Sequence, residues 1–405
     1  MKLLKNILLR LLPLYHKLKV CFLRHKEHIN VVFFAMSLSM WRYQKLYELL
    51  LTQPRFKAYI IICPSCEYEY TQQLKDQKEL MEYFNSKRIN YIVVNEGSSF
   101  NLRKEISPDI MFYPQPYNGY YPKQFSYNSY YDKLLCYFPY AYWDIADEWS
   151  YTHPLHNTAW KLFYPNKVHR DDAYKFAFRK GHNMEVVGYP TADEFMSGIY
   201  KDRWRQQNAK KKRIIWAPHY SVTSSGHISQ SNFLWMSEFM LDVAKRYSDK
   251  IQFAFKPHPR LYTELCALEG WGQEKAREYY NIWANMSNTQ LETGEFVDLF
   301  MTSDAMIHDS GSFVIEYHYS KNPVMYIMTS SESSIQSKNE VGQKALEAHY
   351  IGSSQKDIIK FINEVVIENI DIMRSVREDF YENYLIPPSG LTVAENAMNV
   401  LLTAL

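Results

Sequence analysis

Short apolar, β-branched or aromatic runs recur along the chain, separated by longer stretches whose apolar residues follow helical spacing. Val31–Met36, Ala58–Cys63, Tyr91–Val94, Ile110–Tyr113, Leu134–Tyr140 and Glu185–Tyr189 form a first series of candidate strands, with Trp41–Leu51 as a candidate helix. Ile214–Ala217, Ile251–Phe255, Ala305–His308 and Val324–Ile327 form a second series, with Phe233–Arg246 and Phe313–Tyr319 as its helices. Strand and helix in alternation predict parallel sheets covered on both faces. The expected fold is therefore α/β: two Rossmann-like lobes with a cleft between them, in which ligands gather at the carboxyl ends of the strands. The pattern divides the chain into a leading helix (1–28), a first lobe (29–190), a charged helical connector (191–212), a second lobe (213–370) and helices that pack back (371–405).

The leading segment changes this picture. Placed at about 100° per residue, Leu4, Ile7, Leu8, Leu11, Tyr15, Leu18 and Phe22 share one side of a helix, opposite Lys2, Lys5, Arg10 and Lys17. Residues 1–28 hold seven Lys/Arg against Glu27 alone, a local charge of +6. An apolar face beside a basic one suits an anionic membrane surface, although a helix packed on its own domain has the same pattern. Pro13 is expected to bend or divide it. No apolar run approaches the roughly 18 residues that a spanning helix needs, and Arg10 and Pro13 interrupt a secretory core. The expectation is a peripheral protein on the cytoplasmic face of the membrane.

Composition adds limits. The 405 residues are 46% hydrophobic and 22% charged, which excludes a disordered or fibrous chain. Net charge is only +2, which gives no reason to expect a nucleic-acid partner. Five cysteines fit free thiols in a reducing compartment. Cys63-Pro-Ser-Cys66 has redox or half-zinc spacing, but no second pair completes four ligands, so no metal site is expected.

The chemistry concentrates at three strand exits of the second lobe: Trp216-Ala-Pro-His-Tyr-Ser221, Lys256-Pro-His-Pro-Arg260 and His308-Asp-Ser-Gly-Ser312. Two prolines around His258 force an extended exit from the strand; the loop is either a surface turn capped by prolines or, since a turn needs neither the Lys nor the His, a place where Lys256, His258 and Arg260 suit the oxygens of a pyrophosphate. Asp309, Ser310, Gly311 and Ser312 read as a tight turn opening a helix, where hydroxyls and N–H groups meet an anion. Glu316, one turn into that helix, is either a solvent-facing residue of an ordinary Ser-capped helix or an acceptor for ribose hydroxyls. His219 is either a structural histidine or the general base, and its neighbours favour the base. Pro114–Tyr121 and Cys136–Trp143 are aromatic exits of the first lobe, equally suited to a core edge or to a sugar or polyol surface.

In this order the residues resemble the CDP-glycerol glycerophosphotransferase family, the teichoic-acid-type polymerases and primases of GT-B architecture. The resemblance rests on Trp216-Ala-Pro-His219, Phe255-Lys-Pro-His-Pro259, the Ser303–Ser312 block with Glu316, and Asn322-Pro-Val-Met-Tyr326, with weaker similarity at Ser107–Tyr113 and Gly188–Pro190. It implies a donor site in the second lobe: the His258 loop and the Ser310–Ser312 turn on the pyrophosphate, Glu316 near the nucleotide, and Mg²⁺ held only through donor phosphates. It further implies transfer of a glycerol phosphate or other polyol phosphate from a CDP-alcohol to a hydroxyl of a lipid-linked or polymer acceptor. CMP is released, in synthesis of a teichoic-acid-like or capsular polymer. The family's Trp-His-Gly-Thr segment in the first lobe is replaced here by the aromatic Cys136–Trp143, so no histidine carries over from it and His219 stands as the base on its own placement. The same turn and glutamate also serve UDP- or CMP-sugars, which makes a GT-B glycosyltransferase or epimerase the alternative.

Overall fold

The computed structural model describes residues 2–223, 231–311, 313–328 and 338–405, with side chains from Leu9 onward. The chain forms two compact units, Met1–Asp193 with Ile386–Leu405, and Glu194–Leu385. Each is built on its own parallel sheet.

In the first unit the strands are β1 (Ile29–Ala35), β2 (Phe56–Ile62), β3 (Ile92–Val93), β4 (Ile110–Tyr113), β5 (Leu134–Tyr137), β6 (Lys161–Tyr164) and β7 (Met184–Val186). They lie in the order β3-β2-β1-β4-β5-β6-β7. β1 is apolar on both faces because helices cover both sides of a parallel sheet. Lys161–Tyr164 was not among the expected strands. The last helix, Val393–Ala404, closes this unit against the helix Gln44–Leu51. Thr392 and Glu395 form a capping box at its start, and the Asp193 carboxylate accepts the Val393 and Ala394 N–H groups at 2.7 and 3.0 Å. Gly188 makes the close approach possible: its φ is +102°, and a Cβ there would lie 2.7 Å from Val393 Cγ2.

The leading segment is one helix, Lys2–Arg24, running through Pro13. Its apolar residues split into two stripes. Leu9, Leu12 and Leu23 are buried on their own unit together with His16, whereas Leu11, Leu14, Leu18 and Phe22 are 55–71% exposed. The helix thus packs on its own unit through one stripe and leaves the other exposed. Lys2, Leu4, Lys5, Ile7 and Leu8 have side chains outside the described residues. No helix among the described residues is long and apolar enough to cross a membrane.

The second unit holds β8 (Lys212–Ala217), β9 (Ile251–Phe255), β10 (Thr289–Leu291), β11 (Ala305–His308), β12 (Val324–Ile327) and β13 (Tyr350–Gly352), in the order β10-β9-β8-β11-β12-β13. Trp216, Phe233, Phe255 and Trp283 form its aromatic core, with Trp216 and Phe233 almost parallel at 5.9 Å. The expected helix Phe233–Arg246 is present. The expected helix from Phe313 is an α-turn to Glu316 followed by a tighter turn, Tyr317–Ser320. Within 191–212 only Ala192–Phe195 is helical. Arg205 of this stretch is held by Gln290, Met286 and Ala284.

Two parallel-sheet units with flanking helices and a leading helix define a GT-B-like, doubly Rossmann architecture.

Candidate functional site

β8 is central in the second sheet, with β9 on one side and β11 on the other. The chain reverses its direction of strand addition here, the place where open parallel sheets bind ligands. Trp216 pairs with Phe255 and Ala217 with His308, so the three exits leave the sheet side by side.

The exits are tied together by main-chain bonds. The N–H of Lys256 donates to Trp216 O at 2.8 Å and that of His258 to Pro218 O at 3.1 Å. Asp309 acts from the other side. Its Oδ1 accepts the His219 N–H at 2.7 Å, and its Oδ2 accepts the Ser231 hydroxyl at 2.9 Å and the Asn232 N–H at 2.6 Å. The carboxylate assigned to substrate in the sequence therefore holds the loop that follows β8.

His219, Tyr220 and His258 form one cluster, with ring centroids 4.3, 4.5 and 5.2 Å apart, and the Arg260 guanidinium lies 4.3 Å over the Tyr220 ring. Tyr220 stood inside the quoted motif without a role, and its proximity to both histidines marks it. His258 Nδ1 accepts the Arg260 N–H at 3.2 Å, which leaves the ring proton on Nε2. Burial pushes His258 down to about 3, helped by His219, Arg260 and Lys256, so the ring is a neutral donor. His219 Nδ1 lies 2.8 Å from Ser221 Oγ. Burial also lowers His219, with Asp309 opposing and Arg260 adding to the shift. The Ser221 N–H also donates to His219 Nδ1 at 3.4 Å, so in the neutral ring Nδ1 accepts and the proton is on Nε2.

Lys256 is buried and points elsewhere: its ammonium donates to Gly294 O at 2.8 Å, on the loop after β10. Burial pushes it down to about 8, opposed by Glu292 and Glu295, and Glu316 acts on it in the same direction as these two. Lys256 and the buried Glu316 thus belong to one charged group, while Arg260 pairs with Glu264 at 2.9 Å. Neither cation is aimed at the His219–His258 pair by a bond.

At the β11 exit, Ser310 is 2% exposed and its hydroxyl meets no hydrogen-bond partner among the described residues. A buried unpaired hydroxyl costs about 1–3 kcal/mol, which a ligand oxygen would recover. A Cβ on Gly311 would meet nothing within 4 Å, so that side of the turn is open. Ser312 lies outside the described residues. Among the described residues no group of three or more His, Cys, Asp or Glu is arranged to hold a metal ion.

Such a sheet, with donors and an unsatisfied hydroxyl at its switch point, defines a GT-B-fold enzyme acting on a nucleotide-linked donor. Solved structures of the same fold include the UDP-GlcNAc 2-epimerase of Neisseria meningitidis bound to UDP-GlcNAc, 12% identical over 92% of this chain and 99% of that one, with a TM-score of 0.58. The Methanocaldococcus jannaschii UDP-GlcNAc 2-epimerase in complex with UDP-GlcNAc and UDP is 13% identical over the same shares, at 0.57. A histidine-to-asparagine variant of the wall teichoic acid polymerase TagF is 12% identical over 99% of this chain and 95% of that one, at 0.60. No curated protein matches the chain. Residues 150–385 match the family described as CDP-Glycerol:Poly(glycerophosphate) glycerophosphotransferase, and the chain belongs to that family.

Proposed function

We propose that the protein transfers a polyol phosphate, glycerol phosphate in the first instance, from a CDP-alcohol to a hydroxyl of a membrane-linked acceptor. The acceptor oxygen attacks the β-phosphorus, the bond from that phosphorus to the bridging oxygen breaks, and CMP leaves. His219 takes the hydroxyl proton. His258, a neutral Nε2–H donor, and the Ser310–Gly311 turn meet the charge that moves onto the leaving phosphate, an electrostatic contribution that dominates many such barriers. Ser312, outside the described residues, is assigned to the same phosphate, Lys256 with Glu316 to the nucleotide side, and Mg²⁺ enters with the donor phosphates.

The unpaired buried hydroxyl of Ser310, two strands from His258, carries this reading. On the first unit, Tyr117 stacks on Trp149 at 5.6 Å and 29°, with His153 edge-on to Trp149 at 4.5 Å; Trp149 is 59% exposed. This platform suits the acceptor. The exposed stripe of the leading helix suits the anionic membrane on which a lipid-linked acceptor lies.

Purified protein given CDP-glycerol and a lipid-linked acceptor is expected to release CMP, with His258→Ala slower by about 10²–10³-fold. The similarity to UDP-GlcNAc 2-epimerases favours a second reading, a glycosyltransferase or epimerase on a UDP- or CMP-sugar. Conversion of UDP-GlcNAc without CMP release from CDP-glycerol would select it, and inertness toward every nucleotide-linked donor would remove both.

A further inference from the structure

The aromatic platform on the first unit has a charge as well as a shape. The chain leaves β2, β4 and β5 through residues 63–69, 114–122 and 138–153. These three stretches hold Glu67, Glu69, Asp144, Asp147 and Glu148 and no Lys or Arg, a local charge of −5 in a chain whose net charge is +2. They are also joined. The Cys66 N–H donates to Tyr120 O at 2.9 Å, and the Tyr117 ring lies 5.1 Å from that of Tyr120 and 5.6 Å from that of Trp149.

His153 stands edge-on to both Tyr117 and Trp149, at 4.9 and 4.5 Å, and the exposed indole offers its face to solvent. Such a face takes the C–H side of a sugar ring and leaves the hydroxyls to polar neighbours. Those neighbours are phenols and carboxylates. Burial raises the Tyr117, Tyr120 and Tyr140 hydroxyls and Glu67 adds to each shift, so all three stay protonated and can donate. Asp147 also raises Tyr117, and at His153 it opposes the lowering by burial. Its place is fixed, because it caps the helix Glu148–Thr152 that carries Trp149 and accepts the Ser150 N–H at 2.7 Å. Beside Cys66, the hydroxyl of Ser65, 2% exposed, meets no partner among the described residues, and a ligand hydroxyl would supply one. Arg42, which follows β1, turns to the main chain and donates to Tyr140 O at 3.4 Å. Carboxylates accept sugar hydroxyls in charge-assisted hydrogen bonds and repel a phosphate.

We propose that the Tyr117–Trp149 platform admits an uncharged sugar ring as the acceptor and turns away a polyol-phosphate chain, with Glu67 and Asp147 setting the difference. The inference rests on the transferase reading above and deepens it by naming the acceptor. Attack of a sugar hydroxyl on the β-phosphorus of CDP-glycerol forms a phosphodiester with one negative charge, while the bridging oxygen and its electron pair leave with CMP and the hydroxyl proton goes to the base. The product is thereby the kind of molecule that the platform rejects. The protein adds one unit and stops. Growth of a polymer from that product needs a further polyol-phosphate transfer by an enzyme whose acceptor side is cationic.

The test measures CMP released from CDP-glycerol by the full-length protein with two sets of acceptors: octyl glucoside, galactoside and N-acetylglucosaminide, and the same glycosides already carrying one glycerol phosphate. The uncharged set is expected to be used with a kcat/KM at least about tenfold higher and to gain a single unit, and about 0.5 M salt should narrow the gap. Glu67→Gln combined with Asp147→Asn, which keeps a capping side chain, should bring the two sets within about threefold of each other. Equal or better use of the charged set by wild type overturns the inference and leaves the transferase reading standing, as does a folded double variant with an unchanged ratio. If the double variant does not fold, the wild-type ratio and its salt dependence decide. Failure to release CMP with any acceptor overturns the transferase reading instead. Saturation-transfer NMR then decides the platform: uncharged glycosides that bind no better than their phosphorylated forms, or that bind Trp149→Ala as well as wild type, overturn it.

Discussion

Asp309, at the end of β11, holds the main chain of His219, at the end of β8, through a 2.7 Å hydrogen bond from the His219 N–H. Because Asp309 Oδ2 is also taken, by Ser231 and Asn232, one carboxylate sets the loop that presents the proposed base. Asp309→Asn turns one acceptor oxygen into a donor facing donors. The expected cost is about 1–3 kcal/mol in urea unfolding, together with weaker nucleotide binding. A variant with wild-type stability that loses only nucleotide affinity would instead place Asp309 on the ligand.

Acid should unfold the protein early. Burial holds His16, His156, His258 and His349 at about 3 and His169 at about 4, below the ordinary 6.5. The unfolded chain takes up these protons at the ordinary value and the native chain does not, so stability is complete above that value and is lost as pH falls toward the native ones. Each ring contributes about 1.4 kcal/mol per pH unit within this window. Tm should be level above neutral pH and drop steeply below about pH 6. A Tm unchanged at about pH 5 would contradict neutral buried rings.

Trp149→Ala should leave Tm and the CDP-dependent thermal shift at wild-type values, because the indole is largely exposed and lies in the first unit. KM for the acceptor is expected to rise several-fold, in line with the ~1 kcal/mol that a lost aromatic contact costs. An unchanged acceptor KM would return the Tyr117–Trp149 pair to the role of a core edge.

The two stripes of the leading helix separate binding from stability. Leu18→Glu with Phe22→Glu should abolish sedimentation with phosphatidylglycerol vesicles and leave Tm nearly intact, since both side chains face solvent. Leu12→Ala should do the reverse, costing about 2–5 kcal/mol with vesicle binding retained by the folded fraction. Vesicle binding that survives the double glutamate variant would remove the membrane role of this face.

Most strands of both sheets were legible because short, strongly apolar runs such as Ile29–Ala35 and Phe56–Ile62 fit strands of a parallel sheet covered on both faces. Lys161–Tyr164, Thr289–Leu291 and Tyr350–Gly352 were not. They are three or four residues long and carry polar members, and partners distant in sequence make them strands. In the leading helix, periodicity found the stripe of Leu11, Leu18 and Phe22, yet Leu9, Leu12 and Leu23 are equally apolar, and only packing decides which side docks. The three polar exits were legible as a group because parallel sheets collect such loops. Their aim was not: Asp309 turns inward as a clamp and Lys256 reaches Gly294. The buried contact of His308 is with His349, 41 positions further on, which no local pattern connects to it.

The first unit is assembled from discontinuous sequence, Met1–Asp193 and Ile386–Leu405, while the second is a single stretch between them. During synthesis the whole of the second unit is made before the strip that seals the first. Until Val393 and Ala394 reach Asp193, the side of Gln44–Leu51 that this helix covers stays wet, a vulnerable interval in which chaperones and proteases compete for the nascent chain.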